Sequence, residues 1–162
     1  MSVIRAEKTD INNISPLIAK FRVELSSYKN IQSEENLEDA KEEFEDYIKA
    51  DYPIYAYKEG SDYLGYLVCR IDNSVVWVES LFVLKEHRRR GIATALFNTA
   101  EELSKSYGND TLYNYVHPNN DDMITFLGRR GYDVLNLIEI RKKYEGEKVS
   151  ERIRVRNNVF EY

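Results

Sequence analysis

The residues best placed for chemistry lie in Val75–Ala100, VVWVESLFVLKEHRRRGIATALFNTA. Arg88, Gly91 and Ala93 stand three and two residues apart, directly after an apolar strand and directly at the start of an amphipathic helix. The backbone N–H groups of such a loop can wrap a pyrophosphate at the helix N-terminus. Gly91 lets the backbone approach phosphate closely. Ala93, after Ile92, is small to the same end, and Thr94 adds a hydroxyl or amide donor. Arg88, Arg89 and Arg90 put positive charge beside the loop. Strand–turn–helix units and solvated basic turns are common, so order and spacing carry this reading.

The elements around the loop follow from apolar periodicity. Val3–Glu7 reads as a first strand. Ile11, Ile14, Ile18, Phe21, Leu25 and Tyr28 then repeat at three and four, one face of a helix with Thr9-Asp10 as its cap. Pro16 interrupts it: either a new helix begins there with Ser15 as cap, or the helix kinks. A second helix is expected with Ser33 as cap and Leu37, Ala40, Phe44, Tyr47 and Ile48 inward. Three strands follow, Ile54–Lys58, Tyr63–Ile71 and Val75–Leu84, as an antiparallel meander. After Gly91 a helix runs to Tyr107-Gly108, with Ala93, Leu96, Phe97, Ala100 and Leu103 inward. Thr111–His117 is a strand, Pro118-Asn119-Asn120 a turn and cap, and a short helix ends by Gly131. Tyr132–Lys142 and Glu151–Arg156 are the last expected strands. The order is β-α-α-β-β-β-α-β-α-β-β. The crossover from Val75 to His117 requires parallel neighbours there, so the sheet is mixed.

The 162 residues suffice for one domain with a sizeable core, and no linker or repeat divides residues 1–162. No apolar run reaches transmembrane length. The N-terminus MSVIRAEKTD carries no signal-peptide pattern. The single cysteine, Cys69, excludes an internal disulfide and a cysteine metal cluster, and it reads as a small core residue. These features point to the cytoplasm and to no membrane partner. The net charge of −5 argues against nucleic acid. The charge is uneven: Ser33–Asp51 holds nine acids against Lys41 and Lys49, whereas Arg141–Arg156 holds seven bases against three acids.

Motif and element order together resemble the Gcn5-related N-acetyltransferase (GNAT) superfamily, over nearly the whole chain. The family pattern (Arg/Gln)-x-x-Gly-x-(Gly/Ala) is matched by Arg88-Arg89-Arg90-Gly91-Ile92-Ala93, after a strand ending Ser80-Leu81-Phe82-Val83. Asn120, a short helix and Gly131-Tyr132 follow where the family has Asn and Gly-Phe or Gly-Tyr. The resemblance implies an α/β (α+β) fold, a mixed, mostly antiparallel sheet with helices on both faces. That sheet splays open between the Val75–Leu84 and Thr111–His117 strands. It implies acetyl-CoA as co-substrate in that cleft. Pantetheine would pair with the backbone of Leu81, Phe82 and Val83 and reach Asn120, and pyrophosphate would lie on the N–H groups of Arg88–Ala93. No metal is implied, and His87 and His117 lack ligand spacing.

The implied reaction moves an acetyl group to a primary amine, or the fold serves as a silent acyl-CoA-binding module. An amine must be neutral to attack a thioester, yet its free pKa is about 10, so a proton acceptor is needed. Glu79 is the candidate base. On strict alternation it shares a face with Trp77, Leu81 and Val83, and a carboxylate in an apolar strand is costly unless paired or functional. A structural ion pair is the other reading. The oxyanion donor would be a backbone N–H of Leu81–Val83. Tyr115, five residues before Asn120, either lends a hydroxyl to the amine or packs as an aromatic wall. The chain departs from the family at Leu127, where many members have a tyrosine taken as the acid for the thiolate. Leucine cannot donate a proton. Either the thiolate leaves unaided, its pKa being about 8.5, or Tyr113, Tyr115 or water serves, or catalysis is weak or absent. In the family the first two helices wall the acceptor. The acidic second helix either attracts a cationic amine or is an ordinary solvated face. A homodimer through the C-terminal tail is a further expectation.

Overall fold

The computed structural model describes residues 2–149 and 151–162. Its elements run β1 (Ser2–Arg5), α1 (Ile11–Tyr28), α2 (Leu37–Lys49), β2 (Ile54–Glu59), β3 (Asp62–Asp72), β4 (Val75–Val83), α3 (Ile92–Ser106), β5 (Tyr113–Asn114), α4 (Asp121–Gly128), β6 (Arg152–Val155) and β7 (Asn158–Glu161). Two short 3-10 turns, Lys8–Asp10 and Lys85–His87, lead into α1 and into the basic loop. A five-stranded sheet has the order β1-β2-β3-β4-β5, and β6-β7 is a separate hairpin. The first four strands pair antiparallel, and β4 and β5 pair parallel, as the α3 crossover requires.

Helices cover both faces of the sheet. Ile14, Ile18 and Phe44, from α1 and α2, pack against Ile54, Tyr66, Val68 and Phe82. Leu96, Phe97 and Ala100, from α3, pack against Leu67, Cys69, Val76, Val78 and Val83. Each fully buried Leu or Phe among these contributes about 1.5–3 kcal/mol over leaving it in water. Cys69 is a fully buried core residue, and burial pushes its thiol up to about 12. No helix among the described residues is long and apolar enough to cross a membrane.

Several boundaries differ from the sequence reading. α1 runs unbroken through Pro16, with no second cap at Ser15. The proline takes a partner only from the carbonyl of Asn12, which lies on an exposed residue where water can serve. The second helix is capped by Asn36 and not Ser33: its Oδ1 accepts from the N–H of Glu38 at 3.1 Å and of Asp39 at 3.2 Å. Leu37 is consequently exposed, at the first position of the helix. Tyr132–Lys142 forms no strand; the strand expected at Glu151–Arg156 is present as Arg152–Val155 and pairs with Asn158–Glu161, which was unanticipated. β5 is two residues long and not seven, because the chain leaves β4 after Asn114.

The most consequential departure is in β4. Val68 pairs with Ser80 and Cys69 with Val78, which leaves Glu79 without a ladder partner. Glu79 is the extra residue of a β-bulge. One extra residue inverts every side chain beyond it. Val76 and Val78 face α3 before the bulge; after it Leu81 and Val83 do, while Phe82 turns to α1. Glu79 therefore does not share a face with Leu81 and Val83.

Candidate active site

The loop after β4 is shaped by two left-handed residues, Arg89 at φ 60° and Gly91 at φ 81°. Glycine adopts that region without strain, and a Cβ at Gly91 would point into open space. The α3 N-terminus has no side-chain cap and no acid in its first turn. Its first intrahelical bond runs from Ala95 N–H to the Gly91 carbonyl, so the N–H groups of Ile92, Ala93 and Thr94 have no intrahelical acceptor. Unclaimed donors and the positive end of the helix dipole suit a diphosphate. Ile92 is buried as the anchor of the turn, Ala93 is half-buried and Thr94 is exposed.

The three arginines have separate fates. Arg88 turns inward: its Nε donates to the Val83 carbonyl at 2.9 Å, and its Nη2 reaches both oxygens of Glu24 at 2.7 and 2.9 Å. That pair is mostly shielded and ties α1 to the end of β4, over the Phe82 ring. Arg90 bonds Glu59 at 3.0 Å and His87 Nδ1 at 2.7 Å. Arg89 has no side-chain partner among the described residues, and it is exposed.

Beyond Val78 and Asn114 the two parallel strands separate, and a cleft opens between them. Glu79, Leu81, Tyr115 and Asn120 all line it, together with Phe21 and Leu25 of α1. Leu84 N–H bonds the Leu64 carbonyl on β3, so strand alternation turns the N–H groups of Leu81 and Val83 to the cleft side. The Val83 carbonyl is taken by Arg88; the polar groups of Leu81 are the ones that a peptide-like ligand arm can pair with. Phe82 points away, into the aromatic cluster with Phe21 and Tyr66. Asn120 caps α4, its Oδ1 accepting from Met123 N–H at 3.1 Å, which leaves the amide NH2 for the cleft.

The Glu79 carboxylate is not buried: its side chain is 35% exposed and lies 3.5 Å from Arg70 Nε. Arg70 sits over the Trp77 ring, and Trp77 stacks on Tyr113 and Tyr115 at 4.8 and 4.9 Å. Glu79 thus stands beside an aromatic platform on the α1 side of the bulge. Tyr115 is both a cleft residue and an exposed, stacked ring. Leu127 is buried against the α3 core. Tyr132 packs on Phe97 and donates to Glu101, and burial first, then Glu101, raise its phenol to about 12.

Three cleft residues went unread in the sequence. Ser80 is almost fully buried and its hydroxyl has no hydrogen-bond partner among the described residues; the same holds for the Asn114 Oδ1 across the gap. His117 stacks on Tyr28, accepts from Asn119 N–H at 3.2 Å and lies 3.2 Å from the Tyr162 hydroxyl. Burial and the nearby Lys29 hold its imidazole below the ordinary value, so it favours the neutral form. Its position just past a splayed strand was the signal; ligand spacing alone passes over it. Among the described residues no group of three His, Cys, Asp or Glu side chains could hold a metal ion.

Comparison with known proteins places this geometry. The family model "Acetyltransferase (GNAT) family" matches residues 20–132. The chain belongs to the GNAT family. It is therefore an acyltransferase. The aminoglycoside 6′-N-acetyltransferase AAC(6')-Iy, solved with a CoA bisubstrate analogue, superposes with a TM-score of 0.68 at 18% identity, covering 88% of this chain and 98% of that one. AAC(6')-IG from Acinetobacter haemolyticus gives 0.61 at 16% identity, with 93% and 100% covered. A ribosomal-protein-alanine N-acetyltransferase from Brucella melitensis biovar Abortus 2308 gives 0.64 at 14% identity, with 89% and 100% covered. At these identities the likeness concerns the fold. No curated protein matches the chain.

Proposed function

We propose that this GNAT protein transfers an acetyl group from acetyl-CoA directly to a primary amine in a ternary complex, with no covalent enzyme intermediate. The observation that carries the reading is the cleft between β4 and β5. It holds the backbone of Leu81 and the carboxylate of Glu79, and β4 leads from it through the basic loop to the uncapped α3 N-terminus. Acetyl-CoA would supply an activated thioester. Arg88–Ala93 would hold its pyrophosphate on backbone N–H groups, with the exposed Arg89 as the cation nearby. Glu79, half-open to water and not dry, would take the amine proton directly or through one water. Arg70 and the Trp77–Tyr115 platform would position a cationic acceptor, since aromatic faces attract ammonium groups. An aminoglycoside and the alanine of a ribosomal protein, named for the structural relatives, both offer an amine of this class.

Leu127 removes the family's usual acid, so the thiolate would leave unaided or take a proton from Tyr115 or water. Free-thiol release from acetyl-CoA with a panel of aliphatic amines, an aminoglycoside and peptides with free N-termini tests the reading. Turnover with at least one cationic amine is expected. CoA binding by calorimetry with no turnover on any amine would instead make the chain a silent acyl-CoA module.

A further inference from the structure

A second cavity lies on the side of β4 away from the cleft, between the N-terminal half of α1 and the turn that joins β2 to β3. Its volume is about 400 Å³, and it shares no lining residue with the β4–β5 cleft. Small-molecule sites fall in the range of about 300–1,000 Å³, with an apolar lining and a few placed polar groups. The apolar part here is Leu17 and Leu64, both buried, with Leu84 beside them; Leu84 N–H holds the Leu64 carbonyl at 3.0 Å. Tyr63 forms a further wall, and its hydroxyl is tied to Asp10. These walls are fixed by the fold before any ligand arrives.

The polar groups of the cavity come in both signs. On the donor side are Lys20, from α1, and His87. Arg90 can only donate to His87 Nδ1, at 2.7 Å, so the neutral ring carries its proton on Nε2 and offers that N–H. On the acceptor side are the Asp62 carboxylate, from the β2–β3 turn, and the Asn12 carbonyl. Pro16 has no N–H, so that carbonyl lacks its usual helical donor, and both Asn12 and Pro16 line the cavity. A simple anion would leave the acceptors unmatched, and a simple amine would leave Lys20 and His87 unmatched; unmatched polar groups weaken binding. We propose that this cavity binds a free α-amino acid with an apolar side chain. Its carboxylate meets Lys20 and His87, its ammonium meets Asp62 and the Asn12 carbonyl, and its side chain lies on Leu17, Leu64 and Leu84. The site goes beyond acetyl transfer, since it lies outside the cleft and needs no thioester.

Calorimetric titration of the full chain with L-leucine, in the absence of acetyl-CoA, tests the site. Leucine should bind at millimolar concentration or below. Isocaproate has the same carbon chain without the ammonium, and glycine has both charges without the side chain; each should bind more weakly by about tenfold or more, the scale of one charge-assisted bond or one buried apolar side chain. Lys20→Met and Asp62→Asn should each cost leucine a similar factor. Both side chains are exposed, so each variant should keep the wild-type melting midpoint. The proposal is overturned if leucine does not bind at millimolar concentration, or if isocaproate or glycine binds as tightly as leucine. It is equally overturned if either variant binds leucine as the wild type does, because leucine would then sit elsewhere, as an acceptor amine in the β4–β5 cleft would.

Discussion

In the loop Arg88–Ala93, the groups expected to hold ligand are mostly main chain, and two of the three arginines are already engaged within the protein. At Glu79, a few residues upstream on the same crossover, the expected chemistry rests on one side chain that a bulge has lifted out of the ladder. The first region is built from φ angles, a helix end and an inward-facing Glu24–Arg88 pair. The second depends on where one carboxylate points. A backbone site tolerates a choice of side chains as long as its geometry is kept; a side-chain site tolerates the opposite.

That contrast can be broken from either side. The largest effect is expected from Gly91→Glu. It forces an L-residue into φ 81° and adds an anion where phosphate would lie. CoA binding should be lost in calorimetry, and unchanged affinity would sink the phosphate-loop assignment. Glu79→Gln should lower turnover about a hundredfold or more, the scale of a general base, with CoA affinity unchanged. A pH–rate profile superimposable on wild type would remove Glu79 from the chemistry. Arg88→Ala should destabilise the fold by about 2 kcal/mol, since it breaks charge-assisted bonds in a shielded site. A midpoint unmoved in urea would show that the pair does not fasten α1.

The smallest effect concerns His117. Its folded pKa lies below the ordinary 6.5, so its stability contribution is complete above about pH 6.5 and is lost as pH falls through the lower folded value. The groups facing it are Tyr28, Lys29, Asn119 and Tyr162. Thermal midpoints between pH 7 and 5 should fall less in His117→Asn than in wild type. Parallel curves would show that the imidazole titrates without coupling to folding.

The fold was legible where sequence periodicity and burial say the same thing. The two-sided apolar β4, the three- and four-residue repeats of α1 and α3, and the Gly91 turn all come from local pattern. Asn120 was legible as a cap because Asp121 and Asp122 follow it. Alternation failed at Glu79 because a bulge is set by pairing between distant residues, Val68–Ser80 and Cys69–Val78, and leaves no local mark. The fate of Arg88 was hidden for the same reason, since Glu24 lies 64 positions away. The apolar run of 134–140 misled in the other direction: its composition suits a strand, but a strand needs a neighbour, and none of the described residues pairs with it.

The bulge divides β4 into two reading frames. Residues before it are constrained by one set of neighbours and residues after it by the inverted set, while position 79 belongs to neither core. A substitution there is felt by Arg70 and the cleft but by no packed layer. This is therefore the place on β4 where chemistry can change while both hydrophobic faces stay as they are. Deleting the residue would make the ladder regular, since Val78 and Ser80 already pair with the adjacent Cys69 and Val68; Ser80–Val83 would keep their faces and only the carboxylate would be lost.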